Sequence, residues 1–112
     1  VTGQMGGGML QGIGYSSMEY MDHEGRGRIR NNSLSDYIIP TAMDVPNMKV
    51  CLHVAEYPDG PYGAKGAGEL PAVGTAAAYI EAAEQILGAK IDHIPFTVED
   101  TMKVISNKEE AK

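Results

Sequence analysis

Tyr62-Gly63-Ala64-Lys65-Gly66-Ala67-Gly68-Glu69-Leu70-Pro71, running on into Ala72-Val73-Gly74-Thr75-Ala76-Ala77-Ala78, is the passage on which the fold turns. Gly63, Gly66 and Gly68 let the backbone bend sharply and let its amides come close to a neighbour. After Glu69 the character changes at once. Leu70-Pro71 reads as a first helical turn, where a missing N–H costs nothing. Val73, Ala76, Ala77, Ile80, Ala83 and Leu87 recur at helical spacing, and Gly88 is a good C-terminal stop. The run Ala76-Ala77-Ala78 offers a small surface, so this helix is expected to pack closely on something. Glu69 stands at the junction, where a helix start presents unpaired N–H groups and a partial positive charge. A carboxylate held ready there is what a general base must be. A glutamate at a helix start is also simply a good helix-start residue, and the motif alone leaves both readings open. Lys65 hints at phosphate, but the Walker pattern wants Ser or Thr after the lysine and Gly66 stands there, which excludes a nucleotide P-loop.

Working outward toward the N-terminus, Gly3 to about Met21 combines two conflicting signals. Met5, Met9, Ile13 and Tyr20 recur at roughly helical spacing. Yet Gly3, Gly6, Gly7, Gly8, Gly12 and Gly14 crowd the same stretch, and each interior glycine costs a helix about 1 kcal/mol relative to Ala. A bare backbone must therefore be wanted there. Gly8 and Gly12 lie on one helical face, where another backbone or a ligand could approach closely. Tight helix packing is the plain alternative to a ligand.

Between these regions, His23 to Gly27 reads as a turn, and Arg26, Arg28 and Arg30 as its solvated basic flank. Arg28–Asn32 and Leu34–Ile39 are plausible strands. Pro40 and Pro46 bracket a stiff connection. Met48, Val50, Leu52 and Val54 alternate with Lys49, Cys51, His53 and Ala55, the cleanest strand signal in the chain. Cys51 within it is expected to be a small core or half-buried residue. Ala89 to Pro95 reads as a short strand or link. Thr97 to about Asn107 is a last helix, with Thr97 and Asp100 as a capping pair and Val98, Met102 and Ile105 facing inward. Lys108–Lys112 is expected to fray. The predicted class is α+β, about three helices with a small mixed or antiparallel sheet.

The chain of 112 residues has room for one domain or part of one, and 43% hydrophobic residues is an ordinary globular fraction. Its core nevertheless looks thin, with one Phe, no Trp and 14 glycines, so further protein is expected to complete it. A net charge of −6 argues against binding nucleic acid through phosphates. No apolar run is long enough for a membrane span. The opening Val1-Thr2-Gly3-Gln4 lacks the marks of a signal peptide, and a first residue other than Met suggests a cut or processed chain. The single cysteine excludes an internal disulfide and fits a reducing, cytoplasmic setting. His23, His53 and His93 are scattered, so no direct metal site is predicted.

Three motifs carry a family resemblance. Gly63-Ala64-Lys65-Gly66-Ala67-Gly68-Glu69-Leu70-Pro71 resembles the Gly-x-Lys-Gly-x-Gly-Glu-x-Pro segment of the xanthine dehydrogenase/aldehyde oxidase family, the molybdenum hydroxylases. Gly3-Gln4-Met5-Gly6-Gly7-Gly8-Met9-Leu10-Gln11-Gly12-Ile13-Gly14 is similar to that family's Gly-Gln-x-x-Gly-x-x-x-Gln-Gly-x-Gly segment. Asp36-Tyr37-Ile38-Ile39-Pro40-Thr41-Ala42-Met43-Asp44-Val45-Pro46 resembles its Asp-Tyr-x-x-Pro-Thr-x-x-Asp-x-Pro stretch. Their order and spacing match over Thr2 to about Ile105.

The resemblance implies that residues 1–112 are a single, partial molybdopterin-binding domain, the C-terminal portion of the large subunit. It implies hydroxylation of a purine, another N-heterocycle or an aldehyde, with water as oxygen source and Glu69 as the catalytic base. It further implies that Gln4 hydrogen-bonds the cofactor, that Gly3, Gly6 and Gly7 let the pterin lie on the backbone, and that Lys65, Gly66, Ala67 and Gly68 line it. Iron–sulfur clusters and FAD would sit on other domains or subunits, since one cysteine cannot hold a cluster. The remainder of the molybdenum-binding subunit would be a partner, and the chain by itself would be inactive. A carbon monoxide dehydrogenase or benzoyl-CoA-type reductase relative is an option within the family, though Glu69-Leu70-Pro71 leans toward the xanthine, nicotinate and aldehyde side. A non-catalytic scaffold domain that kept the fold is the reading from another class.

Overall fold

The computed structural model describes residues 1–110. Three helices dominate: α1 (Thr2–Ser17), α2 (Leu70–Leu87) and α3 (Val98–Glu110), with short 3-10 turns at Gly25–Gly27 and Pro61–Gly63. Helix α2 begins and ends as its sequence predicts. Its stop is Gly88 at φ 55°, a left-handed conformation that costs glycine little, and Gly88 N–H donates to Glu84 O at 2.7 Å. Helix α1 forms despite its glycines, but it ends at Ser17 rather than near Met21. The N–H groups of Met18 and Glu19 both close back on Gly14 O.

The expected sheet is absent among the described residues. One isolated antiparallel bridge, His23 to Ile29, is all the β structure they hold. A strand exists only where its N–H and C=O groups find a neighbouring strand. Arg28–Asn32 gains only that single bridge, and Leu34–Ile39, Met48–Ala55 and Ala89–Pro95 find no partner strand, whatever their side-chain alternation. Cys51 is accordingly exposed, not half-buried. Along the same run Met48 and Val50 are half-buried, while Leu52 and Val54 stand in solvent.

Phe96 is the only buried large apolar side chain among the described residues. Beside it, Ser16 is completely buried, and its hydroxyl donates to Gly12 O at 2.6 Å. Phe96 N–H donates to Ser16 O at 2.8 Å, which anchors the approach to α3 onto the end of α1. The Thr97–Asp100 capping pair forms: Asp100 N–H donates to Thr97 Oγ1 at 3.3 Å, and Thr97 N–H donates to the Asp100 carboxylate at 3.2 Å. The rest of the α3 expectation is corrected. Val98, Met102 and Ile105 are exposed, because no apolar surface among the described residues lies over them. The helix also continues through Lys108–Glu110, where fraying was expected. Lys108 Nζ donates to Leu87 O and Gly88 O, tying α3 to the end of α2. Of the expected frayed tail, Ala111 and Lys112 lie outside the described residues.

The chain is elongated, 58 × 41 × 27 Å, with a radius of gyration of 18.0 Å. A compact chain of this length would have about 13 Å. Many large apolar side chains face outward, Met43, Val54, Val73 and Ile86 among them. Such a surface is what a chain completed by further protein presents. No described helix is long and apolar enough to cross a membrane.

Candidate active site

The site begins with two missing Cβ atoms. One built on Gly8 would lie 3.1 Å from Pro71 Cβ, and one on Gly12 would lie 2.6 Å from Thr75 Cβ. Any side chain at Gly12 would hold the helices apart, so glycine brings the two backbones into direct contact. Gly8 meets Pro71 and Ala72, and Gly12, one turn on, meets Ala72 and Thr75. Helices α1 and α2 therefore run in the same direction, with both N-termini at one end of the pair. That end gathers the Gly3–Gly7 stretch and the loop that leads into Glu69.

Helix α2 starts without a side-chain cap hydrogen bond and without an acidic residue in its first turn. Its free N–H groups leave a partial positive charge beside Glu69. Gly3, Gly6 and Gly7 would meet nothing within 4 Å if given a Cβ, and the same holds for Gly66 and Gly68. The glycines of α1 thus do two jobs: Gly8 and Gly12 serve helix packing, while Gly3, Gly6 and Gly7 bare the backbone toward open space.

Glu69 occupies the N-cap position of α2, yet its carboxylate makes no capping bond; only its carbonyl accepts, from Ala72 N–H at 3.0 Å. Glu69 lines an open cavity of about 370 Å³ together with Gln11, Gly12, Tyr15, Glu19, Ala72 and Val73. Glu19 is held by Tyr37, whose hydroxyl donates to its carboxylate at 2.9 Å. That bond holds the Tyr37 phenol above its usual range.

Gln4 does not line this cavity. It stands exposed on α1, seven residues before Gln11 and so on the same stripe of the helix, about 10 Å nearer the N-terminus. Lys65 is occupied by its own chain, since its Nζ donates to Ala55 O at 2.5 Å. Ala67 is half-buried in the loop. Tyr15 and Glu19 escaped the sequence reading, and Gln11 entered it only as a motif position. The signal was there in the spacing of Gln4, Gln11 and Tyr15, which repeats every seven and four residues along one face. Among the described residues no three His, Cys, Asp or Glu side chains converge as metal ligands.

The molybdopterin cofactor-binding domain family matches residues 1–46. The xanthine dehydrogenase molybdenum-binding subunit of Escherichia coli O157:H7 is 36% identical over 96 residues, covering 85% of this chain and 13% of its own. The gamma subunit of the 6-hydroxypseudooxynicotine dehydrogenase complex of Paenarthrobacter nicotinovorans is 35% identical over 100 residues, covering 87% and 13%. Among solved structures, quinoline 2-oxidoreductase from Pseudomonas putida 86 superposes with a TM-score of 0.81 at 31% identity, over 94% of this chain and 14% of that one. The chain belongs to the molybdenum hydroxylase family. It spans 13% of the length of the two curated relatives. Its cofactor is molybdopterin, and this hydroxylase segment fits one. Bare backbone at Gly3, Gly6 and Gly7, together with Gly66 and Gly68 before the start of α2, leaves open space that suits a flat cofactor.

Proposed function

We propose that this hydroxylase segment forms one wall of the active site of an enzyme that hydroxylates an electron-poor carbon of a purine, another N-heterocycle or an aldehyde, with Glu69 as the general base. Molybdopterin, when bound, supplies the metal that acidifies water and takes up the two electrons of the oxidation. The chain's own residues do the rest. Gly3, Gly6 and Gly7 on α1, with Gly66, Ala67 and Gly68 in the loop, present backbone to the cofactor. Gln4 contributes an amide hydrogen bond, and Lys65 secures the loop through Ala55 O. Glu69 takes the proton from the activated water onto a carboxylate oxygen and gives it up to solvent through the open cavity.

The observation that carries this reading is the unengaged Glu69 carboxylate. Its oxygens make no capping bond to the first-turn N–H groups, and the residue lines an open cavity. Residues 1–112 are read as part of a single molybdopterin-binding domain. The partners are the remainder of the large subunit and, on other domains or subunits, iron–sulfur and FAD centres, in a cytoplasmic assembly. In the full-length, molybdenum-loaded enzyme, Glu69→Gln is expected to retain molybdenum and lose at least about a hundredfold in turnover, as loss of a general base commonly does. Near-normal turnover would remove Glu69 from the role.

A further inference from the structure

The stretch that the proposed chemistry leaves without work is Met48–Ala55. From Val45 to Tyr57 the chain runs with no helix, turn or bend. Among the described residues no N–H of Met48–Ala55 finds an acceptor, and of its carbonyls only Ala55 O is taken, by Lys65 Nζ at 2.5 Å. A run of peptide groups this long is normally paired. The segment is nonetheless held in place. Met48 and Val50 are half-buried, and Val50 lines a cleft of about 400 Å³ with Met5, Met9, Leu70 and Pro71, at the starts of α1 and α2. Leu52 and Val54 continue the same alternation but are 50% and 86% exposed. Apolar alternation on a backbone with unpaired edges is a template for another strand.

The two edges are not equivalent. In an extended chain the N–H and C=O of one residue point to one edge, and those of the next residue to the other. Ala55 O is turned to Lys65, and the edge of Lys49, Cys51 and His53 lies on that side. The edge of Met48, Val50, Leu52 and Val54 is free over its whole length.

We propose that a strand from the remainder of the large subunit pairs with this free edge, and that the joint steadies the cofactor loop, which Ala55 O holds through Lys65. This rests on the reading of the chain as a segment of that subunit. The likeness to quinoline 2-oxidoreductase covers 94% of this chain and 14% of that one, so the same fold there sits within a much longer chain. Pairing within one chain also avoids the freedom lost when separate molecules associate, which favours it over a second copy.

The test is amide hydrogen exchange, resolved to single residues, in the full-length enzyme. The amides of Met48, Val50, Leu52 and Val54 are expected to exchange at least about tenfold more slowly than those of Lys49, Cys51 and His53. Fast exchange throughout overturns the inference, and so does slow exchange without alternation, which marks a cover that does not pair. Protection that fades on dilution, or on removal of the iron–sulfur and FAD subunits, gives the edge to another chain and overturns it as well. Proline supplies a second readout. Leu52→Pro deletes an N–H on the pairing edge and should lower the melting temperature well below that of Leu52→Ala, while His53→Pro, on the opposite edge, should be tolerated. Equal losses at the two positions overturn the choice of edge. If Leu52→Pro yields no folded enzyme, the exchange pattern of the unaltered protein decides. None of these outcomes bears on Glu69, and near-normal turnover of Glu69→Gln would leave the exchange pattern untouched.

Discussion

Helices α1 and α2 hold together in a different way from α3. The first two meet through a contact between residues about sixty positions apart, made possible by the missing Cβ atoms of Gly8 and Gly12. Helix α3 relies on near neighbours: the Thr97–Asp100 pair at its start, Lys103 at 2.9 Å from Asp100, and Lys108 reaching back to the end of α2. Its apolar residues face outward. The pair that carries the candidate site thus depends on tertiary packing, and the helix that carries no proposed chemistry is secured largely by local polar bonds. Precision explains the division. A cavity walled by residues of both α1 and α2 needs two backbones locked at a set distance, which local capping cannot supply.

The sharpest way to break this contrast is Gly12→Ala. The new Cβ would fall 2.6 Å from Thr75 Cβ, so α1 and α2 must part. A loss of about 1–3 kcal/mol is expected, as for overpacking generally, together with lower molybdenum content. Hydrogen exchange should accelerate in both helices and not in α3. Thr97→Ala is the mirror image. Loss of the cap should cost about 1 kcal/mol and speed exchange in the first turn of α3, with molybdenum content unchanged. Gly7→Ala sharpens the comparison by sign. Its Cβ meets nothing, so the helix should gain about 0.5–1 kcal/mol while the cofactor is held less well. A thermal shift upward with less bound molybdenum would bear that out; a downward shift would contradict it.

The smallest effect expected is the pH response of α3. Lys103, then the Thr97 hydroxyl and N–H, hold the Asp100 carboxyl far below its usual range. Its contribution is complete above the unfolded carboxylate value near 4 and is lost only as pH falls through the lowered folded value. His93, beside Asp92 and Asp100, is raised above its usual value. Its contribution is complete below about 6.5 and fades as pH rises through the raised folded value. These groups face solvent, so the effect is small and screened by salt. Exchange in the first turn of α3 should therefore be slowest between the two limits, and a flat profile would remove the His93 contact from the account.

What could be read from the chain alone was local. Pro71, the alanine run and Gly88 announce α2 from start to stop, and Thr97 with Asp100 announces α3. The glycine loop and the motif order pointed to the family and to Glu69. Alternation at Met48–Ala55 misled, because period two describes a surface seeking a partner strand and says nothing of whether one is present. The inward faces given to α3 and to Cys51 failed for the same reason: burial belongs to the neighbour as much as to the residue.

The sequence by itself determined where α2 begins and ends and where α3 begins, and which carboxylate stands at the start of α2. Tertiary structure alone decided which glycines pack and which stay open, that α1 and α2 run in the same direction, and that Gln11, Tyr15 and Glu19 share a cavity with Glu69. The reason is the range of the forces. Turn geometry and capping act over a few residues and leave their mark in local composition. The approach of two helices is settled by shape between distant positions, and no short stretch records it.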